Sequence, residues 1–202
     1  MKNESISTVF LLSIILISSC AKDNTLEPRW IRTEGMIPLK VGFKWTWNVI
    51  NYNENGSIQQ SYPYITEVVK DTLINGEYWF ILRENGSLST SPMTNREGAT
   101  YSYYAGRPTI TFNTIIEDTS VSSSNSNGSY LVSKNNKIQG PLGEFDCNLY
   151  RVFVNINEKK LLEANYYLEY NKGIIRTESF GHKTDGSSYM AVKTELASTN
   201  AF

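Results

Sequence analysis

The side chains best equipped for chemistry in this sequence are two cysteines, Cys20 and Cys147, and a single histidine, His182. His182 sits in Gly181-His182-Lys183-Thr184-Asp185-Gly186, a polar stretch that reads as a hairpin loop. A Ser-His-Asp or Cys-His relay would have to be built on that loop, and one histidine cannot make a histidine-rich metal site. No Gly-x-Ser-x-Gly elbow, phosphate-cradling loop, His-Glu-x-x-His helix or Cys-x-x-Cys pair occurs. Glu117-Asp118 offers half of a carboxylate pair at most, since neighbouring strand residues face opposite ways and two-carboxylate chemistry needs a partner across a cleft. These residue types point to a protein that is not an enzyme and carries no cofactor or metal. A hydrolase would need carboxylates brought together by the fold.

Aromatic side chains supply the other candidate chemistry. Trp45, Trp47, Tyr166 and Tyr167 form the candidate ligand surface, with Tyr101, Tyr103 and Tyr104 as a further set. Aromatics at strand period mostly fill cores, and the same four residues would bind an apolar or flat, sugar-like ligand if they lined an open concave face. Cys147 alternates with Phe145 and Leu149, which places it on the buried face of a strand as a small hydrophobe. No basic residue or second cysteine adjoins it to make a reactive thiol.

Cys20 has a different setting. It follows Val9–Leu12 and Ile14–Ile17, an apolar run broken only by Ser13, behind a short segment carrying Lys2. That run is too short to span a bilayer and has the layout of a secretory signal. The ending Ile17-Ser18-Ser19-Cys20 resembles the lipobox of bacterial lipoproteins. The resemblance implies cleavage before Cys20, diacylation of its thiol and acylation of the new amino terminus, so that the bilayer becomes a partner through this residue. Ala21 stands where an aspartate would mark inner-membrane retention in enterobacterial lipoproteins. The expected location is therefore the outer membrane, lipid-anchored on its periplasmic face, with Lys22-Asp23 leaving surface display as an alternative. Each buried acyl methylene contributes about 0.8 kcal/mol, so several chains on one residue hold firmly.

Residues 20–202 are enough for one domain with a substantial core. The charge is balanced, 19 Lys and Arg against 20 Asp and Glu, which removes the electrostatic case for a nucleic-acid partner. Four Trp, 13 Tyr and 8 Phe, together with many Thr, Ser, Asn and Val, favour strands and turns. The expected division is residues 1–19 as signal peptide, 20–36 as lipidated cysteine and tether, and 37–202 as an antiparallel β domain. Trp30 and Ile31 are the candidate docking point of the tether.

The domain opens with Pro38-Leu39-Lys40-Val41-Gly42-Phe43-Lys44-Trp45-Thr46-Trp47, in which Trp45, Trp47 and Val49 share a strand face. This resembles the Pro-Leu-x-x-Gly-x-x-Trp-x-Tyr opening of uncharacterised Bacteroidota-type envelope lipoproteins, with Trp47 at the tyrosine position. Tyr166-Tyr167 running through Gly173 into Ile174-Ile175 is similar to the tail of that group. The group implies no activity.

Asn-Gly pairs at Asn55, Asn75, Asn85 and Asn127 predict tight primed turns. They join strands at Ile58–Lys70 and Glu77–Arg83, with Pro63 marking an edge or a bulge. Three of the pairs are followed by serine and match an N-glycosylation pattern, but the turns already explain them. Asp71-Thr72-Leu73 resembles a short O-glycosylation acceptor, a pattern also expected by chance at a strand end. Leu88–Ala99 reads as a loop, Thr100–Tyr104 and Thr109–Ile116 as strands, and Glu117–Ser129 as a polar loop with too little apolar area to order itself. A strand at Tyr130–Ser133 precedes a long one at Glu144–Asn157, whose apolar register slips by one after Leu149, as a β-bulge would cause. Strands at Leu161–Tyr170, Ile174–Ser179 and Ser187–Ala197 complete the chain. Many hairpins and no helical period predict an all-β fold, an antiparallel meander curling into an incomplete or small β-barrel, with a β-sandwich as the alternative. Such a domain suits a structural or binding module on the envelope, or a carrier of a small ligand in a barrel cleft.

Overall fold

The computed structural model describes residues 35–113, 129–156 and 159–202. The signal segment, Cys20, the tether with Trp30 and Ile31, and the turn at Asn127 lie outside them. Among the described residues twelve strands follow one another without a helix: β1 Lys44–Tyr52, β2 Ile58–Ile74, β3 Glu77–Glu84, β4 Ser87–Leu88, β5 Met93–Arg96, β6 Ala99–Tyr104, β7 Arg107–Asn113, β8 Ser129–Gly140, β9 Gly143–Ile156, β10 Lys159–Glu169, β11 Gly173–His182 and β12 Ser188–Thr199. All belong to one antiparallel sheet, ordered β7-β6-β5-β3-β2-β1-β12-β11-β10-β9-β8, with β4 pairing only with β3. The chain thus makes two meanders, and the pairing of β12 with β1 sews them together.

The sheet curls without closing. Its edge strands β7 and β8 approach each other but share no ladder. Phe112 of β7 bridges the gap through its ring, 5.5 Å from Tyr150 of β9 and 5.6 Å from Tyr166 of β10. This is the expected incomplete barrel rather than a sandwich. Trp45, Phe80, Leu82, Phe112, Leu131, Tyr150, Leu168 and Leu196 belong to one buried cluster. The tip of the β8–β9 hairpin reaches back toward β11, where Arg176 donates to the Gln139 carbonyl at 2.8 Å and the Lys172 ammonium lies over Phe145.

A strap, Gly35 to Leu39, is already inside this core, with Met36 and Leu39 fully buried. Polar groups fix it to both meanders. The Asn95 amide donates to the Ile37 carbonyl at 2.7 Å and its oxygen accepts from Thr100, whose hydroxyl in turn accepts from the Ile37 amide. At the other end the Gly35 amide donates to the Asn171 side chain at 2.8 Å, and the Asn171 amide to the Gly35 carbonyl. A Cβ on Gly35 would fall 2.3 Å from Asn95 Cγ, so glycine is what lets strap and amide meet.

Pro63 is accommodated as an edge residue inside a central strand. β2 pairs with β1 along Ile58–Glu67 but with β3 only from Thr66 onward, and two residues along, the Ile65 amide is satisfied by the Asn85 side chain at 2.8 Å. A residue without an N–H therefore breaks no ladder bond. The turns at Asn75-Gly76 and Asn85-Gly86 have positive φ at both residues, as primed turns require. At Asn55-Gly56 only the glycine does, because that turn spans Asn53–Gly56 with the Gly56 amide bonded to the Asn53 carbonyl.

Several expectations need correction. Leu88–Ala99 is not a loop, since Met93–Arg96 forms β5, whose Thr94 and Asn95 are buried and hydrogen-bonded. Its small polar residues disguise a strand whose inward side holds the strap. The turns flanking β6 use Glu97-Gly98 and Ala105-Gly106, both with positive φ at each residue, without an asparagine to announce them. The strand expected at Tyr130–Ser133 continues to Gly140. The slip after Leu149 is not a bulge in β9, which stays regular against β10 there; the irregularities opposite it are carried by β8, between Leu131 and Ser133 and between Ser133 and Asn136, and the apolar residues of β9 change face. Leu149 and Tyr150 are both buried, on opposite faces.

Candidate functional site

Cross-strand partners share a face, so the pairing registers define what lines the concave side. One row runs Tyr62, Val49, Thr194, Thr177, Tyr166, Tyr150 across six strands. Next to it Tyr64 faces Trp47, which faces Leu196, and beyond that Glu84 faces Thr66, which faces Trp45. The middle of the first row is short: valine and two threonines. Large rings rise on either side of it, and a cleft of about 520 Å³ remains between them, lined by Trp47, Tyr62, Tyr64, Tyr166 and Ile174 over that low floor. A second space of about 290 Å³ continues inward to Trp45, Leu82, Met93, Phe112 and the strap residue Ile37. Trp47, Thr66, Glu84, Tyr166 and Ile174 border both.

Three of the four candidate surface residues come together here. Trp47 and Tyr166 line both spaces, and Trp45 lines the inner one while remaining almost wholly buried. Tyr167 does not join them. Adjacent strand residues point to opposite faces, and Tyr167 pairs with Arg176 and Leu149 on the convex side, its hydroxyl 3.3 Å from Glu178. Tyr103 packs edge-on against Trp79 and Tyr104 is exposed, so that aromatic set is not part of the cleft.

The polar groups of the cleft are held in place. The Trp47 indole donates to Thr66 Oγ1 at 3.3 Å, and the Tyr64 hydroxyl donates to Glu84 Oε2 at 2.8 Å. Burial first, and then the adjoining carboxylate, push the Tyr64 phenol up to about 12, so it remains a donor. Burial raises the Tyr166 phenol as well. Sequence reasoning missed Tyr62, Tyr64 and Glu84 as members of the site. The signal for Glu84 was present, because it continues the inward register of Phe80 and Leu82 and so breaks an apolar row with a charge.

Other reactive groups lie elsewhere. His182 is at the end of β11 rather than in a loop, its Nδ1 2.9 Å from Ser188 Oγ across the ladder, and its buried Nε2 has no partner to orient it as a base. Cys147 is fully buried, and burial pushes its thiol up to about 12. Among the described residues no group of three His, Cys, Asp or Glu side chains is placed to hold a metal ion.

No family model matches the chain, and no curated protein does. Solved structures do. A Bacteroides fragilis protein described as exported and of YmcC-like fold superposes with a TM-score of 0.50 at 10% identity, over 83% of this chain and 99% of that one. A protein from Parabacteroides distasonis described as a lipoprotein gives a TM-score of 0.47 at 12% identity over the same shares. The first likeness shows a shared fold.

Proposed function

We propose that this chain is an envelope lipoprotein, anchored through acylated Cys20 at the outer membrane and facing the periplasm, whose β domain is a non-catalytic binding module holding a small ligand in its concave cleft. The observation that carries the ligand reading is the cleft itself, a space of about 520 Å³ walled by Trp47, Tyr62, Tyr64 and Tyr166 that opens into a further apolar space. Small-molecule sites are concave, mostly apolar and of this size, with a few fixed polar groups. Aromatic walls on a near-neutral protein suit an apolar or flat, sugar-like body. The lipobox-like ending at Cys20 supports the anchor, and the exported description of the Bacteroides fragilis protein of shared fold agrees with an envelope setting. We place the tether between Cys20 and the strap, and the binding domain from Gly35 onward, since Gly35 and Met36 are buried in its core.

Two measurements test this. Radiolabelled palmitate should enter the wild type and not Cys20→Ser, which should stay unprocessed; equal labelling of both removes the anchor. Tryptophan emission of the acylated chain, titrated with envelope lipids and oligosaccharides, should change saturably for at least one of them. Flat emission throughout would favour a purely structural module.

A further inference from the structure

Glu84 is the only charged side chain lining the cleft among the described residues. Pairing puts it opposite Thr66 on the inward side, two residues beyond the buried Leu82 and four beyond Phe80. Its neighbour Arg83 turns the other way, toward Glu67, and no described cation pairs with Glu84. Tyr64 holds Oε2 at 2.8 Å and Trp47 stands in the adjoining row. The carboxylate is thus fixed at the mouth of an aromatic cleft and uncompensated there.

Resting on the reading of the cleft as a ligand site, we propose that its ligand is a small organic cation, an apolar or aromatic body ending in a protonated amine or quaternary ammonium that sits on Glu84 between Tyr64 and Trp47. Two features of the wall select the same sign. Aromatic faces carry negative quadrupole potential and attract ammonium groups, most strongly when solvent is partly excluded. A carboxylate adds full negative charge and a hydrogen-bond acceptor for an N–H donor. A fatty acid or a phosphate head would meet like charge in the same place, with no lysine or arginine among the described residues of the wall to offset it. The chain's overall charge of −1 therefore hides a locally anionic site. The two spaces, about 520 and 290 Å³, give the apolar body room behind the head.

The test is calorimetric titration of the full acylated chain in zwitterionic lipid nanodiscs, with empty nanodiscs as the blank. The probes are phenylpropylammonium, phenylpropanol and phenylpropanoate, which share one body and differ in head charge. The cation should bind at least about ten-fold more tightly than the alcohol, a difference of about 1.4 kcal/mol, and the anion most weakly. Glu84→Gln keeps an oxygen for the Tyr64 hydroxyl and should bring the cation down to the alcohol's affinity while leaving the alcohol unchanged. Tyr64→Phe should keep the cation preference, which separates the carboxylate's charge from general damage to the wall. Equal binding of cation and alcohol by the wild type, or a preference that survives Glu84→Gln, overturns the charge assignment and leaves the ligand site standing. Failure of all three probes to bind overturns both.

Discussion

Trp47 and Trp45 alternate with threonine on a short strand, yet they have different neighbours, and the difference is testable. Both rings belong to the buried cluster, but Trp45 borders only the inner space, whereas Trp47 borders both spaces and gives its indole N–H to Thr66. Trp45→Ala should cost about 3–5 kcal/mol in urea unfolding, as other large-to-small aromatic substitutions in cores do. Trp47→Ala should cost less and blunt any ligand response more; equal losses of stability would mean that both rings are simply core. Cys147 should be inert to iodoacetamide at pH 8 in the native chain and alkylated once unfolded, since the buried thiol ionises only near 12. Tyr150, fully buried, is also pushed up to about 12 by burial. Its folded pKa lies above its unfolded value of 10, so the stability it contributes is complete below pH 10 and is lost as pH rises from 10 toward 12. Alkaline melts should show that loss, on the order of 2 kcal/mol, and Tyr150→Phe should flatten it. An unchanged slope in the variant would assign the loss to other phenols.

At the scale of elements, alternation and turn chemistry made most of the sheet legible. Trp45, Trp47 and Val49 announced β1, and Asn75-Gly76 and Asn85-Gly86 announced the hairpins on either side of β3, because a primed turn needs residues that tolerate positive φ. β5 stayed hidden for the opposite reason. Met93-Thr94-Asn95-Arg96 carries no apolar alternation, since its inward Asn95 serves a backbone carbonyl of the strap instead of a hydrophobic neighbour. The strap was equally invisible: Gly35 and Met36 look like tether in sequence, and only partners more than 55 residues away, Asn95 and Asn171, reveal their burial. Asn95→Ala strips the Ile37 carbonyl and the Thr100 hydroxyl of a shared partner, and each buried group left unpaired costs about 1–3 kcal/mol. The variant should lose about 2 kcal/mol or more and expose the strap to limited proteolysis near Met36. A variant that melts like the wild type, with an uncut strap, would show that the network does not hold the two meanders together.

For the whole molecule, the balance of composition and the run of hairpins led to an open curled sheet, and the structure has that form. The cleft was only half legible. Trp45, Trp47 and Tyr166 stood out by residue type, but Tyr62, Tyr64 and Glu84 enter the site through pairing registers and the join of β1 with β12, which a single sequence does not display. The direction of the sheet's curl also decides that Tyr166 faces the cleft and Tyr167 does not. What makes the space is the low floor of Val49, Thr177 and Thr194 beneath tall rings, and that floor permits a direct test of whether the space is used. Thr177→Phe places a ring where the ligand should lie without removing any buried group. A ligand giving a saturable change of tryptophan emission with the wild type should give none with Thr177→Phe, while the variant melts at or above the wild-type temperature. A folded Thr177→Phe protein that still titrates like the wild type would contradict it, and the concave cleft would then be no binding site.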